Sequence, residues 1–105
     1  MNLRQIFGRK AHSDSSATRG NAEARRWVAE GATLLDVRTE REFASGHIDG
    51  AYNVPVADLG RRMAEVPANI PVVVYCQAGG RSARAAGQLS ARGFEVLDLG
   101  AMASW

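Results

Sequence analysis

From Asn21 onward the apolar positions change period repeatedly, from helical spacing to continuous runs and back. Ala24, Trp27 and Val28 fall on one face of a helix that Asn21 is placed to cap and Gly31 to stop. Residues 32–37 form an apolar run that predicts a buried strand. Thr39-Glu40-Arg41-Glu42 is a capping box opening a short helix that ends near Gly46. A short strand is expected over 51–54, then a helix over 55–66 lying between two prolines. Residues 71–75 are the most apolar strand; a helix over 82–92 is closed by Gly93, and 95–99 are the last strand. Strands that alternate with helices and read as near-continuous apolar runs predict an α/β protein with a parallel sheet covered on both faces. Ligands of such sheets bind beyond the carboxyl ends of the strands, and Cys76 sits at one of those ends.

The first twenty residues break this pattern. Leu3, Ile6 and Phe7 stand among Arg4, Arg9 and Lys10, and His12 to Gly20 are small and polar. The segment lacks the apolar core of a secretory signal. Residues 1–20 are therefore expected to be a flexible N-terminal tail, with a transit-type presequence or a docking segment as the alternatives, and 21–105 to be the domain. A chain of 105 residues is long enough for one domain with a core of its own. Its single cysteine rules out an internal disulfide framework and fits a reducing, cytoplasmic location. Cys76, His12 and His47 offer no zinc-ligand spacing, so no metal or other cofactor is expected. A net charge of +2 with scattered arginines argues against a nucleic-acid partner, and nothing approaches a membrane span.

The chemistry concentrates in Val72-Val73-Val74-Tyr75-Cys76-Gln77-Ala78-Gly79-Gly80-Arg81-Ser82-Ala83. An apolar run stops at the only thiol, a glycine-rich loop with one arginine follows, and an alanine-rich helix begins. Backbone N–H groups of such a loop, aided by the helix N-terminus, favour an anion at the sulfur. Cys76 is thus expected to be the nucleophile, with Gln77, Ala78, Gly79, Gly80, Arg81 and Ser82 forming the substrate cradle. Two readings of Arg81 stay open: it binds an anion, or it ties the loop to a neighbouring carboxylate. Asp36 and Arg38 flank a buried strand end and are read as loop anchors, with a charge pair to Glu42. His47, set in Gly-His-Ile, is read as a hydrogen-bonded turn residue.

Three separated stretches carry a family resemblance. Asp36-Val37-Arg38, Glu42-Phe43 with Gly46-His47-Ile48-Asp49-Gly50-Ala51-Tyr52-Asn53-Val54-Pro55, and Tyr75-Cys76-Gln77-Ala78-Gly79-Gly80-Arg81-Ser82 together resemble a single-domain rhodanese, a thiosulfate sulfurtransferase-like protein. The resemblance runs over 21–105 and extends to the closing Gly100-Ala101-Met102-Ala103-Ser104-Trp105. It implies a three-layer fold with a central parallel sheet of about five strands between helices, and a catalytic cysteine that cycles through a persulfide. Two departures stand out. Thr18-Arg19-Gly20 is a weak strand former where the family has a first strand, and the chain stops at Trp105, barely into the family's last helix. The sheet edge and C-terminal end are accordingly expected to be less well covered.

Loop length bears on the reaction. Four residues separate Cys76 from Arg81, whereas relatives resembling the dual-specificity phosphatases carry five. A phosphoryl group brings three oxygens that need donors around the sulfur, and a shorter ring of amides suits a single added sulfur atom. The expected partners are a small anionic sulfur donor such as thiosulfate, a protein persulfide donor, and a thiophilic acceptor such as cyanide or a thiol. Gln77 and Ala78 add no cation, so thiosulfate is expected to bind weakly, in roughly the millimolar range. Mercaptopyruvate is disfavoured, because that branch resembles a loop with a hydroxyl residue in place of Ala78. The alternative to an enzyme is a rhodanese-like module that carries or senses sulfur without turnover.

Overall fold

The computed structural model describes residues 17–105. Its elements run α1 (Ala17–Ala29), β1 (Thr33–Asp36), α2 (Glu40–Ala44), β2 (Tyr52–Asn53), α3 (Val56–Arg62) continued by a 3-10 turn (Met63–Glu65), β3 (Val72–Cys76), α4 (Gly80–Ala91), β4 (Val96–Ala101) and a closing 3-10 turn (Met102–Ser104). The strands lie in the order β2-β1-β3-β4. Every neighbouring pair is parallel, as the alternation of strands and helices predicts.

Strand β3 is buried along its whole length, and its two-residue period divides the core. Val72, Val74 and Cys76 face a cluster with Leu35, Val37, Val54, Leu59, Ala85 and Leu89, under α3 and α4. Val73 and Tyr75 face the opposite cluster with Ala24, Trp27, Leu34, Ile48 and Leu99, under α1. That alternation sends the thiol to the side on which α4 begins. The register of β3 on β4 shifts between Val74 and Tyr75, with Leu99 as the extra residue, so that Cys76 lies opposite Ala101. Gly100, at φ +84°, allows this shift, and its N–H donates to Asp98 Oδ1 at 2.9 Å.

Two expectations are corrected. Among the described residues the sheet has four strands, where the resemblance implied about five. Thr18, Arg19 and Gly20, read as a weak strand former, lie in α1. Asn21 is consequently inside that helix and caps nothing. Its side-chain amide donates to the carbonyls of Ser104 and Trp105, and Arg25 Nε donates to Trp105 at 2.7 Å. The Arg25 guanidinium also lies 4.6 Å above the Trp105 ring, so α1 holds the closing segment against the sheet. The tail expected over 1–20 lies outside the described residues as far as residue 16.

Candidate active site

Cys76 is the last residue of β3 and is 1% exposed. Gln77 and Ala78 turn outward and are exposed, and Gly79 then takes φ +115°, a conformation that L side chains rarely adopt. This brings the chain back over the sulfur and into α4, so Gly80 and Arg81 already belong to the helix, two residues earlier than its sequence signal. The Gly79 N–H donates to Cys76 Sγ at 3.0 Å and the Ser82 N–H at 3.3 Å. Ser82 Oγ donates to the Gly79 carbonyl at 3.0 Å and closes the loop on itself. Burial pushes the thiol pKa up. Hydrogen bonds from the Ser82 amide and hydroxyl, and from the Gly79 and Ala78 amides, act against burial, and the net pKa lies below the ordinary value.

Beneath the loop, Asp36 and Arg38 form a buried ion pair. Arg38 Nη2 meets Asp36 Oδ2 at 2.7 Å, Nε meets both oxygens at 3.1 Å, and the Arg38 amide donates to Oδ1 at 2.9 Å. The hydrogen bond to Asp36 is the main cause raising the Arg38 pKa, against the opposing effect of burial. The remaining guanidinium donors reach Gln77 Oε1 at 3.2 Å and the Gly46 carbonyl at 2.7 Å. One side chain therefore holds both the cysteine loop and the turn before His47. Asn53 fixes the same strand end, donating to the carbonyls of Asp36 and Arg38 at 3.0 and 2.9 Å. The Tyr75 hydroxyl accepts the Ile48 N–H at 3.1 Å. Burial, then a hydrogen bond to Asp36, pushes the Tyr75 pKa up to about 12.

The expected charge partner of Glu42 is corrected. Its two oxygens take the Arg81 guanidinium, Oε1 to Nη1 at 2.6 Å and Oε2 to Nη2 at 2.9 Å, while Arg38 is spent on Asp36. Of the two readings of Arg81, the geometry is that of a tie to a neighbouring carboxylate. Glu42 also completes the capping box of α2, accepting the Thr39 N–H at 3.0 Å while Thr39 Oγ1 accepts the Glu42 N–H at 3.1 Å. The Arg81 guanidinium and then the Thr39 amide pull its pKa down to about 2. Because the folded pKa lies below the ordinary 4.5, the pair's contribution is complete above that value and is lost as pH falls through about 2. The difference in urea midpoint between the wild type and Glu42→Gln should be widest above pH 4.5 and close by about pH 2. A difference independent of pH would show that the carboxylate charge contributes nothing.

His47 is exposed, stacked at 3.8 Å on Phe43, with Nδ1 3.0 Å from the Ile48 carbonyl. Its contacts are those of a turn residue. A cavity of about 210 Å³ lined by Met63, Ala68, Asn69, Arg92, Gly93 and Phe94 lies at the other, amino end of β3 and β4. It shares no residue with the cysteine loop. Among the described residues, no group of three His, Cys, Asp or Glu is placed to hold a metal ion, and no helix is long and apolar enough to cross a membrane. Sequence reasoning missed Gln77 as the link to Arg38 and Asn53 as the strand-end clamp. The second had a signal in the Tyr52-Asn53-Val54-Pro55 motif; the first had none.

A parallel sheet between helices carries, at its carboxyl edge, one thiol faced by the Gly79 and Ser82 amides. The chain belongs to the rhodanese-like domain family, whose model matches residues 20–105. It is 43% identical over 76 residues to the uncharacterized protein YqhL of Bacillus subtilis, covering 70% of this chain and 60% of YqhL. It is 38% identical over 78 residues to a protein of Allochromatium vinosum named sulfurtransferase, covering 72% of this chain and 73% of that protein. Among solved structures, a rhodanese from E. coli determined with anions matches with a TM-score of 0.67 and 33% identity, over 71% of this chain and 92% of that one.

Proposed function

We propose that this chain is a sulfurtransferase that moves a sulfane sulfur through a persulfide on Cys76. The observation that carries the reading is the pair of N–H groups, from Gly79 and Ser82, aimed at Cys76 Sγ inside a loop with four residues between cysteine and arginine. The Cys76 thiolate attacks the outer sulfur of the donor. With thiosulfate a Cys76–S–S⁻ persulfide forms and sulfite leaves; cyanide or a thiolate then takes the outer sulfur and restores the thiolate. The amides of Gln77 to Ser82 stabilise the negative charge in both steps. Their larger effect is on that charge rather than on ionisation. A thiol of pKa about 8.5 is roughly 3% ionised at pH 7 and one near 6.5 roughly 75%, while the lower basicity gives back about eightfold in nucleophilicity. The activity named for the Allochromatium relative supports the reading.

Intact mass before and after brief thiosulfate treatment, on the wild type and Cys76→Ser, tests it. One added sulfur atom is expected, mapped to Cys76, absent from the variant and removed by cyanide. A folded wild type that gains no sulfur from thiosulfate or from a small persulfide would overturn the enzyme reading in favour of a sulfur-sensing or binding module.

A further inference from the structure

The side chains around the cysteine loop cancel one another's charge. Arg38 is matched by Asp36 and Arg81 by Glu42, each pair bidentate. Arg81 directly precedes Ser82, whose N–H donates to the sulfur, so it is the cation of the cysteine loop itself. It is thus the cation placed to meet an anion at the thiol, yet its terminal nitrogens are engaged by Glu42. Glu42 is in turn fixed by the Thr39 capping box, so it is held in position independently of Arg81.

We propose that Glu42 sets donor selectivity by withholding Arg81 from the anion site. The loop then meets a dianionic sulfur donor with uncharged hydrogen-bond donors, the Gly79 and Ser82 amides and the Ser82 hydroxyl. Sulfur carried on a persulfide is accepted without that penalty: Cys76–S⁻ attacks the outer sulfur of R–S–SH, the S–S bond breaks, and R–S⁻ leaves with the bonding pair. With thiosulfate the leaving group is sulfite, and its two charges must be balanced inside the site. The proposal rests on Cys76 acting as the sulfur carrier. In it Glu42 is a positioning residue that acts through Arg81.

Glu42→Gln keeps the capping box, because glutamine serves at that position equally well, and removes the charge that holds Arg81. With cyanide as acceptor, KM for thiosulfate should fall about tenfold, the low end of what one hydrogen bond to a charged group is worth. KM for cysteine persulfide should change less than about twofold, since exposed charges affect a weakly charged ligand little, so the ratio of the two KM values is the readout. The gain should disappear in Glu42→Gln/Arg81→Gln. Glu42→Asp, one methylene shorter, provides a second variant with the same direction and smaller size. Thiosulfate binding to Cys76→Ser, followed by the backbone amide signals of Gly79 and Ser82, should tighten by a similar factor when Glu42→Gln is added. Unchanged thiosulfate affinity, an equal gain for both donors, or a gain that survives loss of Arg81 would overturn the proposal. If wild-type Cys76 takes sulfur from neither donor, the sulfurtransferase reading falls, and the Cys76→Ser titration still decides whether Glu42 withholds Arg81.

Discussion

Arg38→Met should destabilise the protein by about 3–5 kcal/mol, the cost of leaving one member of a buried ion pair without its partner. The side chains of Arg38 and Asp36 are 3% and 0% exposed, so water cannot replace the lost guanidinium without opening the sheet. Domain stabilities are only about 5–15 kcal/mol. The loss should therefore appear as a drop of about 15 °C or more in melting temperature. Replacing both members, as in Asp36→Leu/Arg38→Met, should recover much of it, because no buried charge is then left unpaired. Equilibrium urea unfolding of the wild type, the single and the double variant checks this. A single-variant loss below about 1 kcal/mol, the range of exposed pairs, would mean that Asp36 reaches solvent when Arg38 is gone. The variant also removes the bonds to Gln77 and Gly46, so both loops beside the thiol should lose protection against amide hydrogen exchange.

Gly79→Ala should slow sulfur loading of Cys76 by about 10²-fold or more, as expected when one preorganised donor is removed from a developing anion. Space does not forbid the substitution: the nearest atom to the added Cβ is the Gly100 Cα, at 3.9 Å. The backbone does. At φ +115° alanine is strained by about 1–3 kcal/mol, and a loop that relaxes takes its N–H away from Sγ. The thiol pKa should then rise, because one of the bonds that lower it is gone. Alkylation by iodoacetamide across pH 5–10 would show the midpoint moving upward. Gly80→Ala is the backbone control for the fold. Gly80 is in the first turn of α4 with open space around its Cβ position, and alanine there should stabilise by up to about 1 kcal/mol. An unshifted alkylation profile in Gly79→Ala would mean that the Ser82 and Ala78 amides set the thiolate without Gly79.

Much of this site is legible in the sequence. The thiol, the glycine that turns the loop and the helix that follows are consecutive in the chain, and so are the members of the Thr39–Glu42 capping box. The strands over 32–37 and 71–75 were legible because burial on both sides of a sheet demands apolar runs; β2 and β4 are only partly buried, and β4 carries Asp98 at an exposed position. Asn21 misled, because its capping chemistry is equally compatible with a position inside a longer helix, where it reaches the closing segment. Leu99 carried no mark of the bulge that sets Cys76 opposite Ala101; only Gly100 beside it has the backbone freedom the bulge uses.

Short-range patterns in the chain were thus enough to place the alternation of strands and helices, the thiol at a strand end and the glycine turn whose amide faces it. Each arises from backbone geometry over a few neighbouring residues. The partner of Arg81 belongs to the folded molecule. Arg81 and Glu42 are 39 positions apart, as are Arg38 and Gln77, and both contacts exist because β1 and β3 pair in parallel with Asp36 opposite Tyr75. A guanidinium bonds whichever carboxylate lies within reach and fits its fork. Sequence spacing lists the candidates, and the sheet register selects among them.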